Sequence, residues 1–305
     1  MTPYKTLGSL PGFLILITLV LATCAQAPVP VDDSELKARV QEYMRNLFPQ
    51  YEKIEVASIE DRDGPFRKAI VEIESGGNRQ TSEIFLSEDG QYLVLGQIWD
   101  LGMDPMRARW EQKQQGAEQR RNTIDLTDRP ARGKLDSPVV LIEYSDYQCP
   151  YCSRAYESLD KQIYEEFKDR VKFVFKHLPL ESLHPWAKKA SVAAACTYVQ
   201  NPVKFWDMHA LLFENQKALT VDNLRENALQ FASQLDLDQA SFKDCYDTDK
   251  TALIVETDLR EAQSLSLSST PTFVLNGAQI TGVVPAEEMA AYLNYALEDA
   301  AKTNQ

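Results

Sequence analysis

Apolar residues recur along the chain with two different periods, and the switches between them delimit the elements. Leu36, Val40, Met44 and Leu47 share one face of a helix that Asp32 and Asp33 open and Pro49 ends. After it the period falls to two. Residues 52–59 read as a strand, and 68–74 as another in which Ala69, Val71 and Ile73 alternate with polar positions, broken only by Ile70. Gly76-Gly77-Asn78 is a turn, and residues 81–86 and 91–98 flank Ser87-Glu88-Asp89-Gly90 as a hairpin. One helix and an antiparallel sheet predict a small α+β domain over residues 32–103. It holds no cysteine, no histidine and no carboxylate cluster spaced for a metal, so it carries no catalytic constellation.

Residues 104–122 are polar and helix-permissive, with Arg107, Arg109, Lys113, Arg120 and Arg121 interleaved with acids. That alternation predicts a solvated connecting helix rather than a basic binding surface, with Trp110 packing on a domain. Pro130 and Gly133 mark 125–136 as the linker proper, so 104–136 together read as a helical linker.

From residue 137 to 305 the pattern is that of an α/β domain. An apolar run at 139–143 leads into Cys149-Pro150-Tyr151-Cys152, after which Ala155, Leu159, Ile163 and Phe167 recur at i, i+4, i+8 and i+12. Residues 171–177 are the next strand. Residues 184–268 are almost wholly helical, in segments 187–199, 202–213, 221–235, 239–246 and 250–265. A strand returns after Thr270-Pro271, Asn276-Gly277 turns it back through 279–283, and Pro285 opens a last helix through Met289, Leu293 and Leu297.

The cysteine pair therefore sits where a strand hands over to a helix. Pro150 is tolerated there because a first-turn N–H has no intrahelical partner. The helix start favours negative charge, so a thiol held there ionises more easily, and the thiolate is the nucleophile. Cys149 is expected to be the exposed, reactive sulfur, and Cys152, one turn in, the buried one that closes a disulfide with it. Zinc would need four ligands, and Cys24, Cys196 and Cys245 are scattered, so no metal is expected. No organic cofactor is needed either, since the electrons reside in the pair. Glu143 precedes Cys149 on the strand. It reads either as a solvent-facing strand glutamate or, given its apolar neighbours, as a buried carboxyl with a raised pKa. Lys176 and His177 end the following strand, where either could tune the thiolate or merely cap the strand. His184 precedes Pro185 near a helix start, and His209 lies with Trp206, Leu212 and Phe213 and reads as packed.

Net charge and the N-terminus bear on location. The 305-residue chain carries a net charge of −13, which argues against nucleic acid and anionic membrane surfaces as partners. Lys5 is the only charge before Asp32, and residues 10–22 are an apolar run of leader length. Residues 1–27 thus read as a signal peptide or lipoprotein signal. Leu21-Ala22-Thr23-Cys24 resembles a lipoprotein box in which Cys24 would be lipidated, although Thr23 departs from the small residue usual there. The alternatives are cleavage after Ala25 or Ala27 and an uncleaved anchor. Each delivers the chain to an oxidising bacterial periplasm or cell envelope. With Cys149 and Cys152 paired and Cys24 lipidated or removed, Cys196 and Cys245 remain as an even pair. A structural disulfide between them would close a loop of about 50 residues and contribute roughly 2–4 kcal/mol. Two buried free thiols are the other reading.

DYQCPYCSRA, followed in order by VKFVFKHLPL, HPWAKKA, FWDMHALLFENQ and STPTFVLNG, resembles the DsbA-like thioredoxin-fold oxidoreductases, from about Gly133 to about Glu298. The resemblance implies a thioredoxin fold with a helical insertion. It implies that Pro271 is a cis-proline facing the cysteines and keeping metal from them, and that the Thr270 backbone, with Pro150 and Tyr151, contacts an extended substrate segment. It also implies that Glu143 lies beneath the site and moves protons to and from the buried cysteine. LSEDGQYLVLGQIWDL resembles the N-terminal dimerisation domain of periplasmic disulfide isomerases, which implies homodimerisation or a surface that holds unfolded substrate. A monomeric spacer is the alternative. The expected function is an extracytoplasmic thiol–disulfide oxidoreductase acting on unfolded or reduced secreted proteins and serviced by a membrane redox partner. The alternative is a holdase or scaffold in which the cysteine pair is secondary.

Overall fold

In the computed structural model the described residues are 32–61, 64–96 and 102–303, and the chain divides into two compact units, Met1–Ile98 and Trp99–Gln305. The leader segment and Cys24 lie outside the described residues.

The first unit opens with helix α1 (Asp33–Leu47), whose N-terminus is capped by the Asp32 carboxylate accepting from the Ser34 N–H at 2.8 Å. Leu36, Val40 and Met44 are buried as expected, but Leu47, the last residue of the helix, is exposed, while Phe48 after it packs on the core. Strands β1 (Lys53–Glu60), β2 (Phe66–Ser75), β3 (Asn78–Ser87) and β4 (Leu93–Val94) follow as an antiparallel meander in sequence order. Gly76 and Gly77 form the β2–β3 turn with φ of +57° and +77°, a pair of left-handed positions that suits glycine. The alternation read from β2 places Ala69, Val71 and Ile73 under α1 with Ile54, Val56, Ile84 and Leu86. Within the described part of the expected strand 91–98 only Leu93–Val94 is strand, and residues 97–98 lie outside the described residues.

The second unit begins with α2 (Pro105–Lys113) and α3 (Ala117–Thr123), then the edge strand β5 (Ala131–Gly133). Strand β6 (Val140–Ser145) leads into α4 (Pro150–Ser158), a π-helical turn (Leu159–Ile163) and α5 (Tyr164–Phe167), and this crossover returns to β7 (Lys172–His177), parallel to β6. Then come α6 (Ala187–Gln200), a short 3₁₀ turn, α7 (Phe205–Glu214), α8 (Leu224–Gln234), α9 (Gln239–Asp247) and α10 (Ala252–Ser264). Strands β8 (Thr272–Leu275) and β9 (Ala278–Thr281) and helix α11 (Ala286–Thr303) complete the chain. The sheet order is β5-β7-β6-β8-β9. This is a thioredoxin-like sheet with the helices α6–α10 inserted between β7 and β8. Among the described residues no helix is long and apolar enough to cross a membrane.

The segment 104–136 is not a solvated linker. Trp110 is 1% exposed, packs on the Tyr292 ring of α11 at 5.8 Å and donates from its indole to Asp299 at 2.9 Å. Arg107, one turn earlier, pairs with Asp299 at 2.5 Å. At the far end Arg129 meets buried Asp258 of α10 at 2.6 Å, and β5 joins the sheet against β7. Arg107, Arg129 and Arg132 meet acids of the second unit and Arg120 donates to the Gly277 carbonyl, while Arg109 and Arg121 remain exposed, so the segment is docked through part of its charge and solvated through the rest. Gly277 makes the docking close: a Cβ there would lie 2.0 Å from the Ala117 carbonyl oxygen.

Cys196 of α6 and Cys245 of α9 are bonded, Cα to Cα 6.0 Å, so the pairing expected from cysteine arithmetic is present and the free-thiol alternative is not. The buried indole of Trp110 should matter more than a linker residue would. Trp110→Ala is expected to destabilise the second unit by about 3–5 kcal/mol, as for other large buried aromatics, measured by urea denaturation; a change below about 0.5 kcal/mol would return the segment to the status of a surface connector.

Candidate active site

Strand β6 alternates its side chains between the two faces of the sheet. Ile142 and Tyr144 face the core under α10, while Leu141 faces the core under α4 and α11. By the same alternation Glu143 and Ser145 share the Leu141 face, pointing beneath α4. Both are buried, at 4% and 0% exposed. The loop after β6 places Cys149 as the N-cap of α4, with extended backbone, and Pro150 opens the helix.

Cys149 and Cys152 are both free thiols here. Cys152 is fully buried as expected, but Cys149 is also covered, 3% exposed rather than open. Its cover is the loop before β8. The Thr270–Pro271 peptide bond is cis, and the Cys149 thiol lies 3.5 Å from the Thr270 carbonyl oxygen, which accepts from it. The Gln216 amide also donates to the Tyr147 and Cys149 carbonyl oxygens at 2.8 and 2.9 Å, tying the loop to the helical insertion. Tyr151, between the cysteines, is exposed, with the Arg154 guanidinium over its ring at 4.4 Å.

The two thiols are driven apart in acidity. The Cys152 thiol beside it, then the Thr270 side chain and the N–H groups of Cys152 and Tyr151, hold Cys149 down at about 5 against the effect of burial. The thiol's contact with the Thr270 carbonyl favours the protonated form, but the thiolate-stabilising groups outweigh it. Burial, and then the negative charge forming on Cys149, push Cys152 well above the ordinary thiol range. The Cys152 sulfur accepts from the Asp146 N–H at 3.4 Å. Asp146 is itself pinned: its carboxylate accepts from the N–H groups of Gln148 and Leu180 at 2.7 and 2.8 Å and meets the His184 ring 2.7 Å away. His184 therefore holds the loop rather than starting a helix, which begins at Ala187.

Beneath the cysteines Glu143 is raised to about 8, first by burial and then by the charge of Asp160. The solvent-facing alternative for Glu143 is thus excluded. Asp160 comes from the π turn and pairs with Arg132 of β5, whose guanidinium lies between the Tyr164 and Trp206 rings at 4.0 and 3.9 Å. Burial raises Asp160, but His209 and Arg132 together outweigh it and keep it ionised. The His209 Nε2 is 3.8 Å from Asp160, too long for a hydrogen bond, its Nδ1 is 3.3 Å from the Tyr147 hydroxyl, and burial lowers the imidazole pKa against the pull of Asp160. His209 is packed, as expected, but packed into the electrostatics of the site. Asp160, Arg132, Ser145, Asp146 and Gln216 were not singled out by sequence.

Lys176 and His177 do not reach the thiolate. Lys176 lies on the opposite face of β7 and pairs with Glu261 of α10 at 2.6 Å, beside Asp258 at 3.6 Å. His177 is enclosed by Phe175, Tyr147 and Phe205, and burial with the Arg129 charge lowers it to about 3, so it stays neutral.

A pH test follows from Glu143. A carboxyl raised on folding is neutral at no cost below its unfolded pKa near 4.5 and costs stability progressively as pH rises towards about 8. Glu143→Gln in the reduced protein is therefore expected to match wild type at pH 4 and to exceed it by a few kcal/mol at pH 9, on the order of 1.4 kcal/mol per pKa unit. Depressed Cys149 contributes with the opposite sign over much of this range, so the difference between the two unfolding curves against pH is the quantity to measure. A pH-independent difference would place Glu143 outside the buried site.

Comparison with known proteins agrees with this geometry. The solved structure of BdbD from Bacillus subtilis superposes with a TM-score of 0.53 at 25% identity, covering 57% of this chain and 95% of that one. α-DsbA1 from Wolbachia pipientis gives 0.54 at 19% identity, covering 61% and 99%, a likeness of fold. Among curated proteins, a Na(+)/H(+) antiporter NhaA of Salinispora tropica is 35% identical over 160 residues, which is 52% of this chain and 23% of that protein. The match thus spans less than a quarter of that relative's length. The Thioredoxin family model matches residues 126–295, more than half of the sequence and all of the residues of the site from β5 to β8, so the chain belongs to the thioredoxin family.

Proposed function

We propose that the protein is a thiol–disulfide oxidoreductase whose working couple is Cys149–Cys152, biased towards donating disulfides. The observation that carries this reading is the split between the two thiols: Cys149 held down at about 5 and Cys152 pushed far up, three residues apart at one helix start. A stabilised Cys149 thiolate favours the reduced form and hence an oxidising couple. A substrate thiolate attacks Cys149, Cys152 departs, and a second substrate thiol releases Cys149 from the mixed disulfide. Pro271 and the Thr270 backbone position the extended substrate segment beside Cys149 by strand addition, with Pro150 and exposed Tyr151 at its margin. Glu143 exchanges the proton of Cys152.

The substrates are reduced or unfolded secreted proteins, and a membrane redox partner restores the disulfide. The site of action is the bacterial periplasm or cell envelope, with Cys24 as the candidate lipid attachment point. The Cys196–Cys245 bridge supports an oxidising compartment, where such bonds persist. Exposed Tyr43, Leu47 and Tyr92 support the N-terminal unit as a homodimerisation surface.

Equilibration with glutathione is expected to give a potential between those of thioredoxin, about −270 mV, and the strongest oxidants of this class, about −120 mV. Cys149→Ser should abolish exchange and Cys152→Ser should accumulate mixed disulfides with substrate. A potential at or below the thioredoxin end would reverse the proposed direction. Light scattering of the full chain at micromolar concentration should give a dimer mass; a monomer mass would leave the N-terminal unit as a spacer.

A further inference from the structure

One buried hydroxyl lies between the two groups that must exchange a proton. Ser145 is two residues beyond Glu143 on β6, so both side chains leave the same face of the strand. The next residue, Asp146, donates its N–H to the Cys152 sulfur at 3.4 Å, which puts that sulfur at the end of β6 beside Ser145. The Ser145 Oγ and the Glu143 Oε1 are both enclosed, and neither has a hydrogen-bond partner in this arrangement. Unsatisfied buried polar atoms are rare and costly, and two of them adjacent on one strand face call for an explanation. The Ser145 hydroxyl is near enough to lower the pKa of both neighbours, the Glu143 carboxyl and the Cys152 thiol.

We propose that the Ser145 hydroxyl relays the proton between the Cys152 thiol and the Glu143 carboxyl. The inference rests on the thiol–disulfide reading above and adds a residue to it. In the resolving direction the Cys152 S–H gives its proton to Ser145 Oγ while the Ser145 hydroxyl proton passes to the Glu143 carboxylate. The Cys152 thiolate then attacks the Cys149 sulfur, the bond from Cys149 to the substrate sulfur breaks, and the substrate thiolate leaves with the electron pair. One proton moves from Cys152 to Glu143, and Ser145 is unchanged. In the donating direction the same column runs backwards and delivers a proton to departing Cys152. Hydrogen bonds of this kind are commonly long at rest and tighten as the reaction proceeds.

The groups facing this column include His177, the register partner of Ser145 on β7, whose buried ring has no hydrogen-bond partner and is kept neutral by burial and the Arg129 charge. Asp160 of the π turn and Arg132 of β5 act on Glu143 through space, and His209 of α7 acts through Asp160. The Tyr147 hydroxyl is held neutral by burial and by the charges of Glu143 and Asp160. The strands on either side pair Phe175 and Phe273 with Glu143, both apolar. Ser145 is thus the hydroxyl on the strand face that joins the carboxyl to the thiol.

The test uses the reduced full-length protein and 5,5′-dithiobis(2-nitrobenzoate). Attack by Cys149 releases the first thionitrobenzoate, and attack by Cys152 on the resulting mixed disulfide releases the second. Ser145→Ala is expected to leave the first phase unchanged and to slow the second about tenfold or more near pH 7, within the range for lost acid–base assistance. Ser145→Thr, which keeps a hydroxyl, should restore it. The pH dependence of the second phase, rising towards about 8 in wild type with the Glu143 titration, should move in Ser145→Ala. A second phase that is unchanged in Ser145→Ala, or slowed equally in Ala and Thr, overturns the relay and leaves the oxidoreductase standing. Absence of the first phase in wild type would overturn the oxidoreductase, and the relay with it.

Discussion

The site depends on the placement of one charge: the thiolate at the start of α4. Cys149 is the N-cap residue, and Cys152 sits one turn inside. The same short segment therefore gives one sulfur the electrostatic field of a helix terminus and gives the other an apolar enclosure. The first stabilises an anion and the second forbids one. Two chemically identical side chains thereby differ in acidity, one favoured as a thiolate and the other as a thiol. Moving the helix start by one residue would remove the distinction, which is why the strand that fixes it is so heavily constrained.

That strand is β6, and its alternation divides structure from chemistry. Ile142 and Tyr144 pack under α10, where the Tyr144 hydroxyl donates to Glu261 at 2.5 Å. Leu141, Glu143 and Ser145 share the other face. A slip of register by one residue would exchange the two sets and bring an acid into an apolar core. The neighbouring strand β7 obeys the same rule. Phe173 and Phe175 line the α4 side, while Lys176 turns towards Asp258 and Glu261, where the buried ions are mutually paired. Those pairs also hold Arg129, whereas Trp110 and Arg132 of the same connecting chain dock on the face that carries Glu143, so the segment grips both faces of the sheet.

Much of this was legible in the sequence because it is local. The strand-to-helix position of the cysteines, the helical insertion and the Cys196–Cys245 pair each follow from patterns within a few residues or from counting. The environment of Glu143 was legible only as apolar flanks. Its electrostatic partner Asp160 comes from a turn of helix, and Arg132 from a stretch that read as linker. One signal was present and unused. Ala155, Leu159, Ile163 and Phe167 recur at strict fourfold spacing, and in an α-helix each such step advances about 40° past a full turn. A straight helix would carry the last of them off the buried face, yet all four are buried. The wider π turn at Leu159–Ile163 absorbs the drift, and it also turns Asp160 inward. That Trp110 packs on a domain was legible, but its partners Tyr292 and Asp299 were not, because they lie on α11, far away in sequence.

The buried acid shows how a local cost sets a direction. Glu143 lies in an enclosed site with one carboxyl oxygen unpartnered. Ionised, it would be expensive, so its pKa rises to about 8 and it is mostly protonated near neutral pH. A group poised this way is a better proton donor to departing Cys152 than a base for attacking Cys152. At the same pH Cys149, titrating near 5, is an easily displaced sulfur when the second substrate thiol arrives. In the proposed donation of a disulfide the two displacements thus each meet a group already in the required protonation state, an acid for the first and a stabilised thiolate for the second. The reverse reaction must begin from the minor, carboxylate form of Glu143. The proposed bias towards oxidation rests on two opposite perturbations, the neighbouring donors, Cys152 first, that lower Cys149 and the burial that raises Glu143, both anchored to the end of a single strand.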